Sequence, residues 1–281
     1  MKNKKILIIG LGLIGASYAQ GLTKKGYLIY GANRSEKALN EAKKRKIIID
    51  GILLKDINKE YLEDFKYIIM GLYPQAMVDF LEEHKDDFAK DTIITDVSGV
   101  KSFFINDLQN ILPCEFIGAH PMAGKEKSGI DNCDYTIFKN ANYIITNTTK
   151  NTDKGIEFAK EIGEALEFKK ISFLSPKEHD EMIAFLSQLT HCIAITLMTA
   201  RDSAHFINYT GDSFRDLTRI ASINENMWSE LFIENKDVLV KQMDLFINEF
   251  LKLKENIEKE NIEEIKKTMI LSTERRKKFD I

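Results

Sequence analysis

His120 follows an apolar run, 116–119, and precedes Pro121 and a glycine-flanked loop, 122–129. Imidazole titrates near neutral pH. A histidine at a strand end can take the proton an alcohol releases when its carbon gives up a hydride. A satisfied structural histidine is the plainer reading of any single position. Chemistry is favoured by a second feature far upstream, the run Ile8-Ile9-Gly10-Leu11-Gly12-Leu13-Ile14-Gly15. Gly10 permits a tight turn, Gly12 lets the backbone approach a pyrophosphate, and Gly15 lets helix pack on strand. Leu13 and Ile14 lie within the turn, and residues 16–25 read as the helix that follows, whose first N–H groups and partial positive charge suit phosphates. A ligand-free strand–helix turn would use the same glycines, but the apolar run before it and the helical pattern after it are what a dinucleotide turn requires.

Three more strand ends carry polar residues. The second strand ends Tyr30-Gly31-Ala32-Asn33-Arg34-Ser35, with no carboxylate for the 2′-hydroxyl of NAD. Asn33 would not repel a 2′-phosphate, Arg34 could pair with it and Ser35 could donate to it, so the tip leans toward NADP. NAD binding through Asn33 stays open, as does a solvated loop role for Arg34. Leu72, Tyr73 and Pro74 form a turn expected to flank the nicotinamide side. The run Thr95-Asp96-Val97-Ser98-Gly99-Val100-Lys101 ends a further strand.

The elements that must position these residues follow an α/β pattern. Apolar runs at 5–9, 28–32, 67–72, 92–96, 116–119, 143–146 and 168–173 read as strands, and segments such as 35–46, 75–84 and 151–166 have helical periodicity. The alternation predicts a Rossmann-like dinucleotide-binding domain over 1–172, with a parallel sheet between two helical layers. Ser175-Pro176 with Glu178 is a helix start. From there the pattern is all-helical, giving a second domain over 173–281. Met182, Leu186, Leu189, Ile193 and Leu197 form one stripe of its first helix, while Gln188, His191 and Ile195 share another face. A very long helix is expected after Asn224, with Trp228, Leu239, Phe246 and Ile257 on its stripe. A stripe this long needs a second subunit to cover it, so a homodimer through the helical half is expected.

Bulk composition sets bounds. The 281 residues are 44% hydrophobic and 30% charged, with net charge −3, which favours no polyanion and no nucleic-acid partner. Basic clusters at 43–46 and 275–278 read as solvated helix ends. Cys114, Cys133 and Cys192 have no metal-ligand spacing and no disulfide pattern, which fits a reducing, cytoplasmic setting. The basic start leads straight into the glycine turn, so no signal peptide is expected, nor is a membrane segment.

Three motifs together resemble one known family. They are 10–15 with Leu-Ile inside; His120-Pro121-Met122-Ala123-Gly124 followed by Glu126-Lys127-Ser128-Gly129; and Phe214-Arg215-Asp216-Leu217-Thr218-Arg219-Ile220-Ala221 with Trp228 beyond. In order and spacing they are similar to prephenate/arogenate dehydrogenases of tyrosine biosynthesis, over about residues 5 to 250. The resemblance implies oxidation of the ring hydroxyl of prephenate with a nicotinamide acceptor and loss of the ring carboxylate as CO2, giving 4-hydroxyphenylpyruvate. It implies that His120 takes the hydroxyl proton and that Arg219 clamps a substrate carboxylate. His191 would lie near the pyruvyl side chain, and Trp228 would reach the site from a partner subunit. Each has an ordinary alternative: an ion pair with Asp216 for Arg219, a core position for His191, and a dimer-core anchor for Trp228.

The chain also departs from that pattern. The family's Gly-Ser before Val-Lys is inverted to Ser98-Gly99, so the serine that supports the catalytic histidine is displaced by one residue; either Ser98 reaches it through a backbone change or that role is absent. Gln188 stands where a first histidine is common and could still bind a carboxylate. Lys125 replaces a small hydroxyl residue and adds charge for a dianionic substrate. His84, His179 and His205 fall in charged or loop-like stretches and read as surface residues, with His179 placed to join its helix cap. No segment resembling a regulatory domain or a fused chorismate mutase accompanies the motifs, so tyrosine inhibition would act at the substrate site. Prephenate is favoured over L-arogenate as substrate. A β-hydroxyacid dehydrogenase or imine reductase is the remoter enzyme alternative, and a nucleotide-sensing protein the non-enzymatic one.

Overall fold

A computed structural model describes residues 3–125, 127–202 and 204–280. The chain divides into two compact units, Met1–Asn235 and Lys236–Ile281.

The first unit is built on an eight-stranded sheet. Its strands are β1 (Lys5–Ile9), β2 (Leu28–Asn33), β3 (Asp50–Leu53), β4 (Tyr67–Met70), β5 (Ile93–Asp96), β6 (Glu115–Pro121), β7 (Asn142–Thr146) and β8 (Lys170–Phe173), in the spatial order β3-β2-β1-β4-β5-β6-β7-β8. Helices α1 (Leu13–Lys24), α2 (Glu36–Lys44), α3 (Lys59–Glu63), α4 (Pro74–Glu83), α5 (Ile105–Ile111) and α6 (Asp153–Ala165) fill the connections. The strands are apolar on both faces because helices cover both. Along β1 the period of two sends Ile6 and Ile8 to the core beneath α1 and α6, and Leu7 and Ile9 to the core beneath α4 and α5.

The all-parallel sheet expected from the alternation needs one correction. β6 and β7 pair antiparallel, with His120 opposite Ile144. Among the described residues of the connection 122–141 there are only short 3-10 turns, and without a crossover helix there the chain turns back beside the strand it left. β3 was also absent from the apolar runs. It is a short edge strand, half-exposed and opened by Asp50.

The helical run begins at α7 (Pro176–Ile183), capped by a reciprocal Ser175–Glu178 pair. It widens to one π turn over Ala184–Gln188 and continues as α8 (Leu189–Thr199). By length and composition alone Pro176–Thr199 could cross a membrane. Its Ile183, Ala184 and Leu189 are buried in the unit, and its Gln188 is hydrogen-bonded there. Helices α9 (Asp212–Thr218) and α10 (Glu225–Glu234) complete the unit.

The single long helix expected after Asn224 is two. α10 ends at Glu234, and α11 (Lys236–Glu258) opens the second unit, followed by α12 (Ile262–Lys277). Asn235 breaks the run because its Nδ2 donates to the Asp180 carbonyl at 3.0 Å and to Gln188 Oε1 at 2.8 Å, with its backbone outside the helical region. Within the second unit Val240, Leu245, Phe246, Phe250, Leu251 and Ile257 are exposed.

Candidate active site

The C-terminal ends of β5 and β6 lie side by side and are clamped by a buried pair. Lys101 and Asp96 are both fully buried, with Lys101 Nζ 2.5 Å from Asp96 Oδ2. The same Nζ donates to the carbonyls of Ser98 (2.9 Å) and Ala119 (2.8 Å), so its three N–H groups have three acceptors. Asp96 in turn accepts from the backbone N–H of Ser98 (2.9 Å) and of Ala119 (2.9 Å). Burial pulls the Lys101 pKa down against the opposing pull of Asp96. The clamp fixes the backbone just before His120.

His120 is partly buried, and its Nδ1 lies 2.9 Å from Nε2 of His179. Nδ1 of His179 lies 2.8 Å from Asp180 Oδ1. His179 is not the surface residue its charged neighbours suggested: it is completely buried. Asp180 also accepts from the backbone N–H groups of Lys101 (2.9 Å) and Ser102 (2.7 Å), so α7 is pinned to the loop after β5. Burial pushes the Asp180 pKa up, but the hydrogen bonds from His179 and Ser102 outweigh it and leave it below the usual range. His120 is held well below the ordinary histidine value by burial first, then by His179 and Lys101. It is therefore a neutral imidazole at neutral pH.

Ser98 does not take the supporting role expected of it. Its hydroxyl is buried and has no hydrogen-bond partner among the described residues. Gly99 is the residue that faces the imidazole: a Cβ there would stand 3.9 Å from His120 Cε1 and 3.5 Å from Leu231. The neighbour of His120 on that side is thus α10, while its hydrogen bond goes to His179.

α10 also approaches the turn at 72–74. Glu230 accepts from the backbone N–H of Gln75 at 2.5 Å, Asn224 donates to the Tyr73 hydroxyl at 3.1 Å, and Leu72 and Trp228 pack on one core. Pro74 is the first residue of α4, where its missing N–H costs nothing. Trp228 lies over His191 of its own chain, ring centroids 3.7 Å apart. His191 Nδ1 is 2.9 Å from the Ser187 carbonyl. Gln188 is buried, and its amide is committed to the Leu231 carbonyl and Asn235, so it orders α10 against α8. Arg219 is exposed and opens the short turn Arg219–Ala221, which packs against α8. Lys125 pairs with Asp134 at 2.8 Å at the rim of a shallow cavity of about 360 Å³ lined also by Lys127 and Cys133. Glu126 of the second motif lies outside the described residues.

The glycine turn fits a dinucleotide. Gly10 has φ +98°, and a Cβ on it would meet Gly71 O at 2.6 Å. A Cβ on Gly15 would stand 1.9 Å from Gly10 O. Gly12 differs: nothing lies within 4 Å of its Cβ position, so the space in front of the turn is open. Gly12 caps α1 with no side-chain hydrogen bond, and no acidic residue sits in the first turn through Leu13 and Ile14. Open space before free N–H groups is what a pyrophosphate requires. At the β2 tip, Asn33 Oδ1 accepts from Leu11 N–H at 3.3 Å, tying tip to turn. Ser35 caps α2 by accepting from Ala38 N–H, and Arg34 is exposed.

Comparison with known proteins decides the family. The domain described as "Prephenate dehydrogenase, nucleotide-binding domain" matches residues 18–171, and "Prephenate dehydrogenase, dimerization domain" matches 175–271. The prephenate dehydrogenase of Bacillus subtilis (strain 168) is 30% identical over 269 residues, 92% of this chain and 72% of that protein. The chain belongs to the prephenate dehydrogenase family.

Solved members have the same fold. The prephenate dehydrogenase of A. aeolicus, crystallised with hydroxyphenyl propionate and NAD+, superposes with TM-score 0.89 at 28% identity, covering 100% of this chain and 99% of that one. The Synechocystis arogenate dehydrogenase gives 0.84 at 25% identity, covering 98% and 99%. Within this prephenate dehydrogenase family member, the residues that sequence reasoning passed over are Asp96, Lys101, His179 and Asp180. A carboxylate ending a buried strand, with a lysine in the loop after it, was the available signal for the first two.

Proposed function

We propose that this chain catalyses the oxidative decarboxylation of prephenate to 4-hydroxyphenylpyruvate. The observation that carries the reading is His120 held at the end of β6, beside the clamped Ala119 and against His179, in the same sheet as an open glycine turn after β1. When bound, the nicotinamide supplies the hydride acceptor. His120 takes the proton of the ring hydroxyl, which it can do only because it is uncharged beforehand. Arg219 grips a carboxylate, for which a planar guanidinium is suited. His191, braced by Ser187 and Trp228, lies along the side chain of the substrate, with Lys125 adding positive charge at the rim. Gln188 acts through the placement of α10.

Family membership and the B. subtilis relative support this activity, and the A. aeolicus enzyme, crystallised with NAD+, supports a nicotinamide cofactor. The carboxylate-free β2 tip, with Arg34 beside it, favours NADP over NAD in this chain. The division of labour falls at 172/173, with 1–172 holding the nucleotide and 173–281 the substrate and the dimer contact. The exposed apolar side chains of α11, and the family's description of residues 175–271 as a dimerization domain, support a homodimer. Three free thiols suit the cytoplasm. A side-by-side assay of prephenate and L-arogenate, each with NAD+ and NADP+, tests both preferences. The expected order is prephenate first and NADP+ first. Faster turnover of L-arogenate would reverse the substrate assignment.

The glycines make a separable prediction. Gly12→Val leaves thermal stability within a few degrees, because its side chain enters open space, yet weakens dinucleotide binding by tenfold or more. Gly15→Ala drives a methyl into the Gly10 carbonyl and lowers stability itself. Thermal denaturation and nucleotide titration of the two variants separate these outcomes.

A further inference from the structure

The geometry points to His179 and Asp180 as positioning residues that set which nitrogen of His120 accepts the proton. The inference rests on His120 being the base. It starts from Asp180, whose carboxylate can only accept hydrogen bonds. Its Oδ1 lies 2.8 Å from His179 Nδ1, so that nitrogen carries the hydrogen. A neutral His179 then has a bare Nε2, and that atom is 2.9 Å from His120 Nδ1. His120 must therefore donate from Nδ1, which leaves its own Nε2 bare as the proton acceptor.

The opposite arrangement would put hydrogens on both nitrogens of His179. His120 would then accept at Nδ1, carry its hydrogen on Nε2 and be unable to act as a base there. The surroundings disfavour it. His179 is completely buried, the charge of Lys101 acts on both imidazoles, and Asp180 and Asp96 are the acidic groups whose charge acts on His179. Burial holds the pKa of His179 below the ordinary value, with Lys101 adding to the effect and Asp180 opposing it.

The relay also answers a problem set by burial. A histidine that resists charging is a weak base, and the imidazolium formed on proton transfer needs a partner. His120 Nδ1–H donates to His179, whose own Nδ1–H is held by Asp180, so the new charge is spread toward a carboxylate without Asp180 taking a proton. No side chain at Gly99 and no bond from Ser98 offers a competing anchor.

The test begins on the wild-type protein without substrate. Nitrogen-15 NMR of the histidine side chains, assigned with His120→Asn and His179→Gln, is expected to show His120 protonated at Nδ1 and bare at Nε2 at pH 7.5. A hydrogen on His120 Nε2, or on both nitrogens of His179, overturns the proposal. In steady-state assays His179→Phe, which has no acceptor, is expected to lower kcat about 100-fold with KM changed less than about threefold. His179→Gln, whose amide oxygen can accept from Nδ1–H, is expected to restore most of it. Retention of kcat by His179→Phe would overturn the relay while leaving His120 as the base. The proposed NMR pattern together with full turnover by His120→Asn would instead remove the base assignment. If His179→Phe does not fold, the wild-type spectrum still decides.

Discussion

His120→Asn is expected to lower turnover of prephenate by at least ~100-fold, the low end of what a positioned general base contributes. Asparagine is close in size and can still bond His179, so the loss reports proton acceptance and not a cavity. Substrate binding, read by KM or by a product analogue, should change little. The wild-type pH profile makes the same point. Burial, His179 and Lys101 hold His120 well below the ordinary value near 6.5, so the base stays deprotonated as pH falls through the usual histidine range. The acid limb of kcat/KM is therefore expected below pH 6.5. A limb centred above that value would mean that a different group titrates.

Lys101→Met is expected to destabilise the fold by about 3–5 kcal/mol, the range for removing one partner of a buried ion pair. The substitution keeps most of the volume and removes the three N–H donors. Asp96 then keeps two backbone donors but loses the only cation placed against it among the described residues. The desolvation cost of a buried carboxylate, several kcal/mol, is no longer offset. The double variant Asp96→Asn/Lys101→Met should be milder than Lys101→Met alone, because it removes the stranded charge. Urea denaturation of the three proteins measures both statements. A cost below 1 kcal/mol for Lys101→Met would show that the clamp does not hold the ends of β5 and β6. Loss of the clamp should also reduce turnover, since Lys101 ties down the carbonyl of Ala119, next to His120.

Much of the fold was legible because apolar runs flanked by breakers are unambiguous in a doubly covered sheet. The runs at 5–9 and 143–146 became β1 and β7 nearly to the residue. Strand direction is another matter: nothing in the composition of 142–146 says which way it runs, and only the missing crossover helix in 122–141 decides it. The helix break at Asn235 was hidden because one polar residue hardly disturbs an apolar stripe, and its reason, two buried acceptors on distant elements, is tertiary. The site divided along the same line. The turn at Gly10, Gly12 and Gly15 and the place of His120 at the end of β6 are legible because they depend on local backbone geometry. His179 was misread because Lys177, Glu178, Asp180 and Glu181 surround it in sequence, although the helix turns His179 and Asp180 inward. Lys101 was passed over because an isolated lysine in a loop after a strand normally lies in solvent.

If one active site removes a hydride and a carboxylate from the same substrate while His120 takes the proton, the three products must appear together. The direct measurement is product stoichiometry with the purified chain, prephenate and NADP+ or NAD+. Reduced nicotinamide, CO2 and 4-hydroxyphenylpyruvate are expected in equal amounts, all suppressed together in His120→Asn. Reduced nicotinamide formed without CO2, or no reduction of either nucleotide by prephenate, would contradict the account.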